Sequence, residues 1–188
     1  MTTLKENIGQ VFMVGLRAGE LTKEEKQLLK NYPFGGFILF SHNLQEPKQI
    51  LSLCQSLWQG AKECPPFIAI DHEGGRVHRL PPPFTHFPAA GVMGKSNDPE
   101  LAYEVGLAMA RELVVVGINL NFAPVLDVHS NPNNPIIGDR ALGTHPDAVI
   151  RFAGPFIRGL KDGRIIPCGK HFPGHGDTAQ DSHLELPV

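Results

Sequence analysis

The densest chemistry in this chain lies near its end, in Lys170-His171-Phe172-Pro173-Gly174-His175-Gly176-Asp177-Thr178, followed by Asp181-Ser182-His183. Six ionisable side chains fall within 14 positions there. Two glycines and a proline keep the backbone out of regular structure, and a loop of this kind usually carries function. Taken singly, each of the nine histidines in the chain is as readily a solvated loop residue as a catalyst. The spacing Asp181-x-His183 separates that pair from the rest, because side chains two apart on an extended segment point the same way and can hydrogen-bond. A carboxylate that holds an imidazole fixes its tautomer and raises its basicity, which makes a general acid/base usable near neutral pH.

A second concentration is Asp71-His72-Glu73-Gly74-Gly75-Arg76-Val77-His78-Arg79, with two carboxylates and two guanidiniums on a glycine turn just past an apolar run. Aimed carboxylates and forked guanidiniums suit vicinal sugar hydroxyls. A local salt-bridge network holding the loop fits the turn equally well when it is considered alone. His171, His175, Asp177 and His183 are competent metal ligands, but no HExxH or other tight metal spacing joins them. The expectation is a site without metal or organic cofactor.

The elements that would position these residues repeat. Val11 to Leu16 reads as a strand, and Thr22-Lys23-Glu24-Glu25 as a capping box opening a helix through Leu28 and Leu29. Phe37-Ile38-Leu39-Phe40 is a strand apolar on both faces, followed by Ile50, Leu53, Cys54 and Leu57 at half-buried helical spacing. Phe67 to Ile70 is a third strand. Its helix is traced by Leu101, Val105, Ala108, Met109, Leu113 and Val116, opened by Asp98-Pro99. Between them a Pro/Gly-rich excursion from Pro81 to Gly94 is too long for an ordinary connection and is expected to wall the site. Ile118 to Phe122 is a fourth strand, Val149, Phe152, Phe156 and Leu160 mark its helix, and Ile165 to Cys168 begins a fifth strand. Pro155 falls inside the last helix, where it removes a hydrogen bond and costs about 3 kcal/mol unless the helix kinks or restarts.

Alternating βα units with strands apolar on both faces predict an α/β fold with a covered parallel sheet. Polar residues follow the strands: Ser41-His42-Asn43, Asp71, then Asp127 and His129, then Lys170-His171. That placement is the active face of a (β/α)8 TIM barrel, here cut after about five βα units where a full barrel has eight in about 250 residues. One domain, residues 1–188, is expected.

The formal net charge is -2, with no basic block, so nucleic acid is not expected as a partner. Cys54, Cys64 and Cys168 lack CxxC spacing and read as reduced thiols in or near the core. The first residues lack the basic and apolar regions of a signal peptide, and no apolar run nears the roughly 20 residues of a membrane helix. A soluble, cytoplasmic protein is the expectation.

Taken together, IDHEGGRVHR, NFAPVLDV, IIGDRALG and GKHFPGHGDTAQDSH resemble, in order and spacing, the barrel domain of glycoside hydrolase family 3, specifically its β-N-acetylglucosaminidase branch. The resemblance runs from the Gly35-Gly36-Phe37-Ile38-Leu39-Phe40 strand to the last residues. It implies that Asp71 grips hydroxyls of the sugar being cleaved, with Arg79 beside it, and that Arg140, Lys170 and His171 complete the pocket. It implies His183 as the general acid/base, oriented by Asp181, in place of the carboxylic acid most glycosidases use. The implied reaction is retaining hydrolysis of a β-linked N-acetylglucosamine at a non-reducing end, from cell-wall muropeptides in peptidoglycan recycling. A carbohydrate is therefore the expected partner.

Two departures accompany the resemblance. His72 stands where the family usually has glutamine, which affects only a contact behind the pocket. The family's aspartate nucleophile lies on a later strand with no counterpart in residues 1–188, and neither Asp127 nor Asp177 matches its position. The 188 residues are therefore expected to be inactive alone. A β-glucosidase or glycoside phosphorylase of the same family is the competing reading within enzymes, although the β-glucosidases take their acid/base from a second domain. The other alternative is a non-catalytic sugar-binding fragment, self-associating through the open flank of the barrel.

Overall fold

A computed structural model describes residues 4–60, 64–181 and 184 of the chain. The elements run α1 (Leu4–Gln10), β1 (Met13–Gly15), α2 (Lys23–Asn31), β2 (Gly36–Leu39), α3 (Pro47–Gly60), β3 (Phe67–Ile70), α4 (Ala90–Lys95), α5 (Pro99–Val115), β4 (Leu120–Asn121), α6 (Pro146–Asp162) and β5 (Ile166–Pro167). The five strands form one sheet in the order β1-β2-β3-β4-β5, every pair parallel. Sequential parallel strands joined by helices are the βα arrangement of a TIM-type barrel.

The helix starts follow the chemistry of their first residues. The Thr22 side chain accepts from the Glu25 N–H while Glu25 accepts from the Thr22 N–H, so two otherwise orphaned donors are satisfied at the start of α2. Asp98 caps α5 through the Glu100 N–H, with Pro99 in the first turn. In α3 the four predicted residues Ile50, Leu53, Cys54 and Leu57 are all buried, as are Val149, Phe152, Phe156 and Leu160 in α6. They meet Phe37, Leu39, Ile68 and Ile70 of the central strands in one core, where each large apolar side chain contributes about 1.5–3 kcal/mol. Pro155 does not break α6, which runs unbroken through it. The carbonyl left without a donor belongs to exposed Arg151, where water can serve it.

The structure departs from the sequence reading at four places. Helix α1 precedes the first strand, and Val11 and Phe12 form the turn that closes it rather than part of β1. On α5 the buried face is Ala102, Gly106, Met109, Ala110 and Leu113, while Ala108 is exposed. Met109, Leu113 and Val116 are buried as expected, and small residues join them where α6 crosses close by: a Cβ on Gly106 would run into the Phe156 carbonyl, and one on Gly159 into the Tyr103 carbonyl. Cys54 is buried, its thiol pushed up to about 12 by burial, but Cys64 is exposed. Finally, the outer strands β1 and β5 are not buried on both faces, with Met13 and Ile166 well exposed. No helix among the described residues is long and apolar enough to cross a membrane.

Behind the strand ends, Asn121 does the work of a peptide. Its amide accepts from the His72 N–H at 3.0 Å and donates to the His72 carbonyl at 2.8 Å, carrying the β3–β4 pairing one step further through a side chain. His72 is wholly buried, with its ring 4.6 Å from His78, which stacks on His86 at 4.2 Å, and edge-on to Phe87. Burial, and then the neighbouring His78, His86 and Arg79, depress its pKa to about 3. In the unfolded chain the same ring takes a proton below about 6.5.

Two outcomes follow. Because the folded pKa is depressed, stability from a neutral His72 is complete above pH 6.5 and is lost as pH falls toward 3. Its share reaches about 2 kcal/mol by pH 5. Thermal unfolding across pH 7.5 to 5 should show a steeper loss for the native chain than for His72→Gln, and parallel curves would remove His72 as the cause. Asn121→Ala strands a buried N–H and a buried carbonyl, so it should cost about 3 kcal/mol in denaturant unfolding. A loss below about 1 kcal/mol would mean that the side-chain rung is dispensable.

Candidate active site

Asp71 is the first residue beyond β3, and the turn after it is built on glycine. The Glu73 N–H bonds the Val77 carbonyl and the Val77 N–H the Gly74 carbonyl, with Gly74 and Gly75 at φ +91° and +54°. Any Cβ at Gly74 would strike the Phe87–Pro88 backbone, so only glycine serves both the conformation and the close approach. The Pro81–Gly94 excursion packs there, placing Phe87 in the core, and the Phe87 carbonyl accepts from the Gly75 N–H. It therefore holds the turn from behind.

Pairing between the β4 and β5 segments resumes beyond the strands. Val125 bridges to Lys170, with Leu126 N–H on the Lys170 carbonyl and Lys170 N–H on the Pro124 carbonyl. Those bonds bring Lys170 to the mouth of the sheet beside Asp71, 99 positions away. The Lys170 ammonium lies 2.6 Å from Asp71 Oδ1 and 2.5 Å from Glu73 Oε1. Arg140, on the Gly138–Arg140 turn, closes the chain of charges: its Nε donates to Glu73 Oε2 and its Nη2 to Glu73 Oε1, both at 2.8 Å. The Glu73–Arg140 pair is the deeper, with side chains 5% and 12% exposed, and Asp71 at 25% is the outermost member. Burial works against the Glu73 charge, but the hydrogen bonds from Arg140 and the charge of Lys170 outweigh it and hold the carboxyl below its usual range.

A second carboxylate organises the loop after β5. Asp127 Oδ2 accepts from the His171 ring at 2.6 Å and from the His171 N–H at 3.2 Å, and Oδ1 accepts from the His175 N–H at 2.6 Å. Burial again opposes the charge, and the donors from His171 and His175 lower the pKa despite it. Beyond, Thr178 Oγ1 meets the His175 ring at 2.7 Å, and Asn134 and Asn131 donate to loop carbonyls at His175, Asp177 and Thr178. Lys170, His171 and Asp177 line a groove of about 640 Å³ with Asp127 and Phe172, whose ring is fully exposed.

The sequence-predicted residues are thus brought together unevenly. Asp71, Lys170 and Arg140 share one network, joined by Glu73, which the sequence reading gave no role. His171 lies beside them on the same loop. Arg79 does not pair with Asp71 among the described residues: its N–H donates to His72 Nδ1 and its Nε is buried without a partner. Lys170, also expected in the pocket, is the cation that pairs with Asp71, because the β4–β5 register delivers the ammonium there. Asp181 is partly exposed, and His183 lies outside the described residues. Among the described residues no three His, Cys, Asp or Glu side chains are grouped to hold a metal ion. Arg76, also unassigned from sequence, reaches across to the carbonyls of Pro135, Ile136 and Ile137 and so fastens the segment that carries Arg140. Its only sequence signal was a second arginine on the turn.

The chain is similar to known proteins. The chain is 42% identical over 181 residues to a β-hexosaminidase of Alkalilimnicola ehrlichii, covering 93% of this chain and 51% of that protein. A β-hexosaminidase of Neisseria meningitidis serogroup B is also 42% identical, over 182 residues, with 93% and 50% covered. The chain thus spans about half the length of these relatives. Among solved structures, a glycoside hydrolase family 3 β-N-acetylglucosaminidase from Paenibacillus sp. FPU-7 superposes with a TM-score of 0.95 at 42% identity, over 100% of this chain and 36% of that one. NagZ from Neisseria gonorrhoeae, in complex with N-trifluoroacetyl-D-glucosamine, gives 0.87 at 42% identity, over 93% and 53%. The model of the glycosyl hydrolase family 3 N-terminal domain matches residues 3–188, so a charge network strung across the ends of three parallel strands is here the work of a chain that belongs to glycosyl hydrolase family 3.

Proposed function

We propose that this chain supplies the sugar-holding half of a retaining β-N-acetylglucosaminidase site, acting on β-linked N-acetylglucosamine at the non-reducing end of cell-wall fragments. The observation that carries the reading is the Lys170 ammonium shared between Asp71 and Glu73 at the strand ends. Asp71 and Glu73 balance Lys170 and Arg140, so the mouth is charge-neutral yet rich in directed donors and acceptors. That combination suits an uncharged polyol, whose hydroxyls each give and take a hydrogen bond.

Within this reading the two ion pairs divide the labour. Asp71 and Lys170, nearer solvent, contact sugar hydroxyls. Arg140 and Glu73 hold them in place from beneath. His183 protonates the departing oxygen and later deprotonates water, with Asp181 orienting it. An imidazole in that role avoids a second negative charge near an anionic nucleophile. The nucleophilic carboxylate has no counterpart in residues 1–188: Asp127 commits both oxygens to three N–H donors, and Asp177 is exposed away from the family position. The 188 residues therefore bind the sugar without turning it over, in a cytoplasmic setting of peptidoglycan recycling. Exposed Met13 and Ile166, on the outer strands, are where copies of the chain would associate.

The test is chromophore release by the 188-residue chain from an aryl N-acetyl-β-glucosaminide and from the matching glucoside, with a calorimetric titration of N-acetylglucosamine in parallel. Binding of the amino sugar with no release from either substrate is expected. Turnover would place a nucleophile within these residues, and preference for glucose would favour the β-glucosidase alternative. The division of labour predicts a split between two variants. Glu73→Gln unbalances a buried pair and should lower stability by about 3 kcal/mol in thermal unfolding. Asp71→Asn should leave stability within about 1 kcal/mol and weaken sugar binding about tenfold or more. Equal stability losses in the two would refute the split.

A further inference from the structure

Asp127 receives no role from the proposed reaction, yet it has the least exposed charged side chain of any described ion pair, at 0%. Among the described residues every group hydrogen-bonded to it is a donor: the His171 N–H, the His175 N–H and one nitrogen of the His171 ring. An ionised carboxylate has only lone pairs to offer, so the ring nitrogen 2.6 Å away must carry the proton between them. That nitrogen is Nδ1. A neutral ring protonated at Nδ1 has a bare Nε2.

We propose that Asp127 is a positioning residue for the sugar-facing loop: it sets His171 as the Nδ1–H tautomer, leaving Nε2 as a hydrogen-bond acceptor, and clamps the peptide N–H groups of His171 and His175. The proposal deepens the sugar-binding reading and rests on it for its consequence. Lys170 can only donate to a hydroxyl and Asp71 can only accept. An imidazole of the other tautomer would duplicate the lysine, whereas His171 held in this one takes a hydroxyl proton while the neighbouring ammonium donates to a hydroxyl oxygen. One groove wall then presents a donor and an acceptor side by side, which is the demand a vicinal diol makes. An amide at position 127 could not substitute, because its NH2 would face a donor.

The test uses the 15N-labelled 188-residue chain at pH 8, where a neutral ring shows its tautomer in two-bond proton–nitrogen correlations. The signal is assigned by its loss in His171→Gln. The native chain should show His171 as Nδ1–H, and an Nε2–H pattern would overturn the proposal without any variant being needed. Asp127→Ala, which removes the acceptor, should release His171 to Nε2–H, speed amide exchange at His171 and His175 at least about tenfold, and weaken N-acetylglucosamine about tenfold. An unchanged tautomer in that variant, or native affinity for the sugar, would equally overturn it. A native chain that shows Nδ1–H but binds no amino sugar would support the tautomer assignment while defeating the sugar reading, so the two failures are distinct.

Discussion

A single ammonium group sits where three strands end. Lys170 reaches Asp71 and Glu73 from the far side of the sheet mouth, and Glu73 in turn grips Arg140 with both oxygens. Removing the lysine would leave two carboxylates facing each other in a half-buried space, and removing Glu73 would leave a guanidinium with a buried edge and no counter-charge. Each group is tolerable there only because the next one is present. The segments after β3, β4 and β5 therefore take up their positions together, and the site is a joint property of three loops.

The sheet makes this possible by extending its pairing past the formal strands. Asn121 continues β3 against β4 with a side-chain amide, and the Val125–Lys170 bridge continues β4 against β5 through backbone. These two rungs aim Asp71 and Lys170 at each other from rigid supports. Asp127 and Asn134 then gather the loop beyond, using a buried carboxylate and an amide to satisfy peptide groups that no strand reaches.

The elements themselves were legible in the sequence because local rules govern them. Apolar spacing identified the buried faces of α3 and α6, and the side-chain chemistry of Thr22 and Asp98 located two helix starts. Helix α1 was not legible, since its two apolar residues, Leu4 and Ile8, are both exposed and leave no periodic signal to read. On α5 the large residues Met109, Leu113 and Val116 were read correctly, but the small ones that meet α6, Ala102, Gly106 and Ala110, carry too little apolar signal to be picked out. At the site, residue types were readable and pairings were not. Lys170 and Asp71 are 99 positions apart, Arg140 and Glu73 67, and His171 and Asp127 44. No local spacing rule says which cation will face which anion across such distances, so the sequence named Arg79, Arg140 and Lys170 for one pocket without saying which of them pairs with Asp71. Cys64 sits beside apolar sequence, yet it lies on an exposed turn.

The crossing of α5 and α6 bears on the chemistry more than its distance from the groove suggests. These helices link β3 to β4 and β4 to β5, and at Gly106 and Gly159 backbone rests on backbone. A surface of side chains can slide by repacking, but two main chains in contact have no such play. The spacing of the strands that carry Asp71 and Lys170 is in that sense gauged by two absent methyl groups on the outside of the sheet. A ruler of this kind has no adjustable part, so tolerance for change in the outer layer is smallest at the point that looks, by residue size, the least demanding.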